Sequence, residues 1–251
     1  MKRIFFCLLI LLTLGKFCYA QQSVRLGLKG GISIPNLKAS GDNPVSQGWS
    51  SGLGPYFGAI AEFGISDHFL IQAELNYSSQ GGKKNGLQAI ASEPFVAYFP
   101  PGTHVPPYIY AVYDNKANLT YLELPILLKV DFPFADKFAF FVDAGPYAGY
   151  LLSAKSVTKG TSNIYFDEGL TQPFLPAPVS FDATTDIKSE IKKFNFGIQG
   201  GIGVSILFAN ESKLQFSIGG NYGFIPIQKD EANGKNNTGA ATVTLGYMII
   251  L

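Results

Sequence analysis

The clearest pattern in the chain is a strict two-residue alternation near its carboxyl end. Leu214, Phe216, Ile218, Tyr222 and Phe224 alternate with Gln215, Ser217, Gly219, Asn221 and Gly223, and Val243, Leu245, Tyr247, Ile249 and Leu251 alternate with Thr242, Thr244, Gly246 and Met248. Period two is the signature of a strand with two different faces. The face opposite the apolar row is small and polar, as in the lumen of a barrel whose outside meets lipid. The same pattern predicts six earlier strands: Val24 to about Pro35, Gly52 to Gly64, Phe69 to about Ser79, Leu119 to Phe132, Phe138 to about Leu152, and Lys193 to Phe208. With the last hairpin from Lys213, the total is eight, an even number.

The connections alternate in length. Those after the second, fourth and sixth strands are about four or five residues, whereas the others cover roughly 35 to 51, 80 to 118, 153 to 192 and 229 to 237. Short turns at one rim and long loops at the other characterise bacterial outer-membrane barrels. A soluble eight-stranded barrel would expose far less apolar surface on its outer face. In lipid an open edge would leave backbone groups unpaired, so strand eight is expected to pair with strand one. The predicted fold is all-β: an eight-stranded antiparallel up-and-down transmembrane β-barrel with long extracellular loops and both termini periplasmic.

Met1 to Ala20 reads as a signal peptide, with Lys2 and Arg3 ahead of an apolar run from Ile4 to Leu14 and the small Ala20 at the cleavage position. That run is shorter than the about 20 residues a spanning helix needs. Gly15-Lys16-Phe17 before Cys18 disfavours lipidation. The mature barrel domain is expected to cover 21–251. Both cysteines, Cys7 and Cys18, fall in the leader, which excludes disulfide and thiolate chemistry from the mature chain. Of 19 basic and 18 acidic side chains, the leader takes Lys2, Arg3 and Lys16, leaving 16 against 18. Such a balance carries no basic patch for nucleic acid. Charged residues make up 15%, against about a quarter in soluble domains, which fits outer-membrane lipid as the surrounding solvent.

Four stretches carry a family likeness: Gly27-Leu28-Lys29-Gly30-Gly31, Gln72-Ala73-Glu74-Leu75-Asn76-Tyr77-Ser78, Tyr121-Leu122-Glu123-Leu124-Pro125-Ile126-Leu127-Leu128-Lys129, and Gly145-Pro146-Tyr147-Ala148-Gly149-Tyr150. In these the chain resembles the PorT-like outer-membrane β-barrel family of Bacteroidetes, over nearly all of its mature length. The resemblance implies the cell outer membrane of a Gram-negative bacterium and an association with secretion across it. It implies no catalytic motif.

Alternation places Arg25, Lys29, Glu62, Glu74, Glu123, Lys129 and Asp143 inside the barrel. In a barrel of this size side chains fill the interior, so these charges are expected to pair across the lumen; the competing reading is a proton or ion path. No catalytic site, cofactor or metal is assigned. The two histidines, His68 in a turn and His104 in a Pro-rich loop, stand far apart with no serine elbow beside them. Gly30-Gly31 and Gly200-Gly201 lie in strands and form no phosphate loop.

The second long connection, 81–118, holds two aromatic runs, with Phe95, Tyr98 and Phe99 in one and Tyr108, Tyr110 and Tyr113 in the other. They suggest a hairpin continuing the third and fourth strands. Either it offers a surface to other envelope proteins, or it packs on Ile164-Tyr165-Phe166 and Pro173-Phe174-Leu175-Pro176 of the neighbouring loop. The leading expectation is a non-enzymatic structural or interaction protein, accessory to a secretion or surface-assembly system. The alternative is a narrow pore or small-solute carrier.

Overall fold

A computed structural model of the chain describes residues 24–98, 102, 104–230 and 234–251, with the side chain of Tyr98 outside the described set. The expected leader and Phe99 also lie outside the described residues. Eight long strands form the barrel: β1 Val24–Ala39, β2 Gly54–Gly64, β3 Phe69–Lys84, β4 Asp114–Ala135, β5 Phe138–Lys159, β6 Phe194–Leu207, β7 Lys213–Gly223 and β8 Asn236–Ile250. Each pairs antiparallel with its sequence neighbours. β1 and β8 close the ring over a ladder from Arg25↔Ile250 to Ala39↔Asn236.

The two faces follow from alternation. Along β4, Leu122, Leu124, Ile126 and Leu128 are exposed, while Tyr121, Glu123, Leu127 and Lys129 are buried. The outward apolar row runs from Leu122 to Phe132, and above it the outward residues turn polar at Thr120 and Asn118. Ten steps at about 3.4 Å, inclined at about 40°, give a band roughly 25 Å tall, the height an outer membrane requires. Aromatic pairs mark its borders. Phe57 stacks on Tyr77 at 4.7 Å and Tyr150 meets Phe194 edge-on at 5.3 Å on the long-loop side. Phe132–Phe140 and Phe134–Phe138 lie on the other side.

Four strands run further than alternation suggested. β1 continues to Ala39, β3 to Lys84, and β4 and β5 extend from the expected Leu119 and Leu152 to Asp114 and Lys159. The extensions hold because they pair with one another, as in Lys84↔Asn115 and Asp114↔Lys159. A short strand, Ala183–Asp186, adds to β5 outside the band. The hairpin between β3 and β4 also differs from expectation. Tyr108–Val112 pairs not with the first aromatic run but with Leu87–Ala91, and Glu93–Tyr98 forms a 3-10 helix at the tip. Pro94 has no amide hydrogen to give a ladder, which favours a helical turn there.

An arginine inserted on the outer row is expected to report the band directly. Ile126→Arg should lower the unfolding free energy in lipid vesicles by about 2–4 kcal/mol and Thr120→Arg by about 0–1 kcal/mol. Equal costs in denaturant titrations would contradict this membrane placement.

Candidate functional site

Because one side of each strand faces inward, residues far apart in sequence meet in the lumen. All seven charged residues singled out by alternation point there: Lys29, Glu62, Glu74, Glu123, Lys129 and Asp143 are buried and Arg25 lies at the short-turn mouth. Two more, Asp131 of β4 and Lys213 of β7, belong to the same inward set, raising it to five acids and four bases. Lys213 shares the parity of Gln215, and Asp131 that of Lys129, so the pattern contained both.

The charges form two ionic nodes. At the first, Glu62 accepts from Lys129 at 2.8 Å and from Lys213 at 3.0 Å, with Arg25 at 3.5 Å, and Lys213 also reaches Asp131 at 2.8 Å. Four strands are thereby tied across the interior. At the second node Lys29 donates to Glu74 at 2.6 Å. Gln72 joins the two nodes, accepting from Lys129 at 3.2 Å and donating to Glu74 at 2.6 Å. Asn76 and Gln199 also donate to Glu74, at 2.8 and 3.2 Å. Nearer the long loops Glu123 is held by amides instead, Gln80 at 3.1 Å and Asn221 at 3.2 Å. Asp143 and Glu123 form no ion pair among the described residues. Such charges are retained only when hydrogen bonds replace their water.

Rings fill what the charges leave. Phe141 is fully buried, with the Lys129 ammonium 4.1 Å from its centroid. It fits because the facing residue is Gly203, where a Cβ would lie 2.4 Å from the ring. Gly197 makes the same room for Tyr147. The space that remains is broken into separate cavities: about 450 Å³ at the short-turn mouth, about 20 Å³ beside Glu74 and Asp143, and about 200 Å³ beneath the long loops. Among the described residues, side chains fill the middle of the lumen, where the cavity beside Glu74 and Asp143 is small.

The long-loop mouth has its own seal. Leu37, Leu119, Tyr121, Leu151, Ile191 and Ile227 form a buried apolar cluster, with Trp49 and Ile187 packed against it. Its loop members, Ile187, Ile191 and Ile227, carry no periodicity, and sequence reasoning missed them.

The aromatic loop is only partly engaged. Tyr110 pairs with Tyr165 in a third short strand, Ile164–Tyr165, and Tyr113 stacks on Phe181 at 4.4 Å. Tyr108 is half-buried. Phe95 and its neighbour Val96 remain exposed on the 3-10 tip. His68 lies at the short-turn rim and His104 in the loop that follows the tip, so the fold keeps them at opposite ends.

The first node sets a measurable hierarchy. Glu62→Gln, which leaves Lys129 and Lys213 buried without their shared carboxylate, is expected to cost about 3–5 kcal/mol of folding stability. Asp143→Asn, which breaks no ion pair, should cost clearly less in the same unfolding titration; the reverse order would contradict the assignment.

Several solved structures are similar in backbone. Neisserial surface protein A (NspA) aligns with a TM-score of 0.44 at 11% identity, covering 92% of this chain and 100% of that one. Ail, the attachment invasion locus protein of Yersinia pestis, gives 0.35 at 10%, covering 91% and 97%. The outer membrane protein OprG from Pseudomonas aeruginosa gives 0.35 at 13%, covering 91% and 94%. No curated protein matches the sequence. Residues 19–229 match the family described as the outer membrane protein beta-barrel domain, and the chain belongs to that family.

Proposed function

We propose that this outer-membrane barrel is a non-enzymatic structural or interaction protein that works through its long-loop face. The observation that carries the reading is the double closure of the lumen, by the Glu62–Lys129–Lys213 node within the band and by the Leu119–Leu151–Ile191–Ile227 cluster above it. A barrel filled in this way offers nothing for a solute to pass through at rest. Its unusual investment is instead in β4 and β5, each of 22 residues, against the 9–11 or so that a tilted strand needs to span a bilayer. The excess holds a rigid platform clear of the membrane. On the alternation of connection lengths, that platform faces the exterior and the short turns face the periplasm.

The platform ends in the 3-10 turn that carries Phe95 and Val96, two apolar side chains that are partly exposed. An exposed apolar tip on a stiff stalk suits contact with another envelope protein. The PorT-like character of the strand sequences supports a place in secretion or surface assembly. A narrow pore is the second reading, and the cavity at the short-turn mouth, lined by Arg25, Asp131, Lys137 and Lys213, is what favours it.

Two measurements divide these readings. Reconstituted in planar bilayers, the protein is expected to be silent, and Glu62→Ala/Lys129→Ala should open discrete conductance steps if the node is the seal. Steady conductance of the unmodified protein would favour the pore. Cross-linking in intact cells should recover envelope proteins in fixed proportion, and Phe95→Ser/Val96→Ser should abolish that recovery while leaving the barrel folded; unchanged recovery would remove the tip as the contact.

A further inference from the structure

Beneath the long loops, the cavity of about 200 Å³ is walled mainly by apolar side chains, including Leu37, Leu119, Ile187, Ile191 and Ile227. Two polar groups in its wall are not committed as the others are. Gln88 donates to the carbonyls of Lys84 and Tyr113, Gln228 and Asn236 bond each other, and Ser156 donates to Asn115. By contrast the Trp49 indole N–H is buried with no acceptor among the described residues. The Lys84 side chain, 7% exposed, has one long hydrogen bond, 3.3 Å to the carbonyl of Pro44, and no ion pair among the described residues. Its burial pushes its pKa below the ordinary lysine value.

Lys84 has a second aspect. It also lines an open groove of about 310 Å³ with Gln47, Leu87 and Tyr110, so it stands between that groove and the cavity. Asp42 and Glu168 flank that groove, and Glu190 stands exposed at the edge of the cavity. None of the three lies within ion-pair distance of Lys84.

We propose that this cavity binds a small carboxylic acid with an apolar body, its carboxylate held by the Lys84 ammonium and the Trp49 indole N–H and its body among Leu119, Ile187, Ile191 and Ile227. The site supplies donors and a desolvated cation, and its one carboxylate, Glu190, is exposed at the edge, which selects an anion over an alcohol or an amine at the Lys84 end. Its apolar walls select a hydrocarbon body over a sugar or a phosphate ester. The cavity is smaller than the roughly 300–1,000 Å³ of drug-sized ligand sites, so the acid is short. The loops that cap the barrel thus hold a ligand without opening the lumen.

Trp49 is the single tryptophan of the chain, so its emission reports from the cavity wall. The folded protein in detergent is titrated with hexanoate, with hexanol and hexylamine as neutral and cationic counterparts, and each affinity is repeated calorimetrically. The expected result is a saturable change with hexanoate, at least about tenfold tighter than with either counterpart. Lys84→Met should remove that preference while leaving hexanol binding as it was, and Ile227→Trp, which fills the cavity from another loop, should abolish calorimetric binding of all three. Equal affinities for the three probes, no saturable binding, or an anion preference that survives Lys84→Met in a folded barrel would each overturn the assignment.

Discussion

Hydrocarbon offers no partner for a backbone N–H or C=O, so every such group at membrane depth must be paired within the chain. The pairing of β8 with β1 meets this condition, and the rest of the structure follows from it. A closed antiparallel ring forces each strand to show one face to lipid and one to the interior. With eight strands that interior is too narrow for a water column and too wide to stay empty. The side chains facing inward must therefore fill it and satisfy one another.

This chain meets the demand with ion pairs rather than with an apolar core. Placing Lys129 and Glu62 in a dry interior is costly for each alone, and the cost is offset only because Lys213, Gln72 and Gln215 complete their shells. The pairs cross the ring between strands distant in sequence, so they also brace its cross-section and its register. A slip of one residue in β4 would exchange Lys129 for the lipid-facing Leu128, and one in β3 would exchange Glu74 for Leu75. The glycines opposite Phe141 and Tyr147 serve the same end, giving rings room where backbone and ring approach closely.

Most of the barrel was legible because alternation has a single cause, the contrast between lipid outside and a polar interior. Strand starts at Val24, Phe69, Phe138 and Lys213, the short turns and the closing pair all follow from it. The inward charges were legible for the same reason, and Asp131 and Lys213 shared a parity already recognised. What lay beyond the band was not legible. Outside lipid the outward face of β3, β4 and β5 turns polar, so the contrast that marks a strand disappears while the ladder continues. The 3-10 turn at Glu93–Tyr98 hides within an aromatic run that otherwise favours strand, and Leu87–Ala91, the true partner of Tyr108–Val112, alternates too weakly to announce itself. The apolar cap draws Ile187, Ile191 and Ile227 from two loops, and no local period joins residues brought together only by closure.

The central claim is that side chains, not water, occupy the middle of this barrel. It is tested most directly by cysteine accessibility, since the only native cysteines are Cys7 and Cys18 at the amino end. Thr244 of β8 lines the small central cavity and is buried, whereas Glu190 is exposed on the long-loop side. In lipid vesicles, Glu190→Cys should react promptly with a small cationic thiosulfonate, and Thr244→Cys should stay protected until the barrel is unfolded. Reaction of Thr244→Cys in the folded barrel at the rate of Glu190→Cys would mean an open aqueous lumen and would contradict the account.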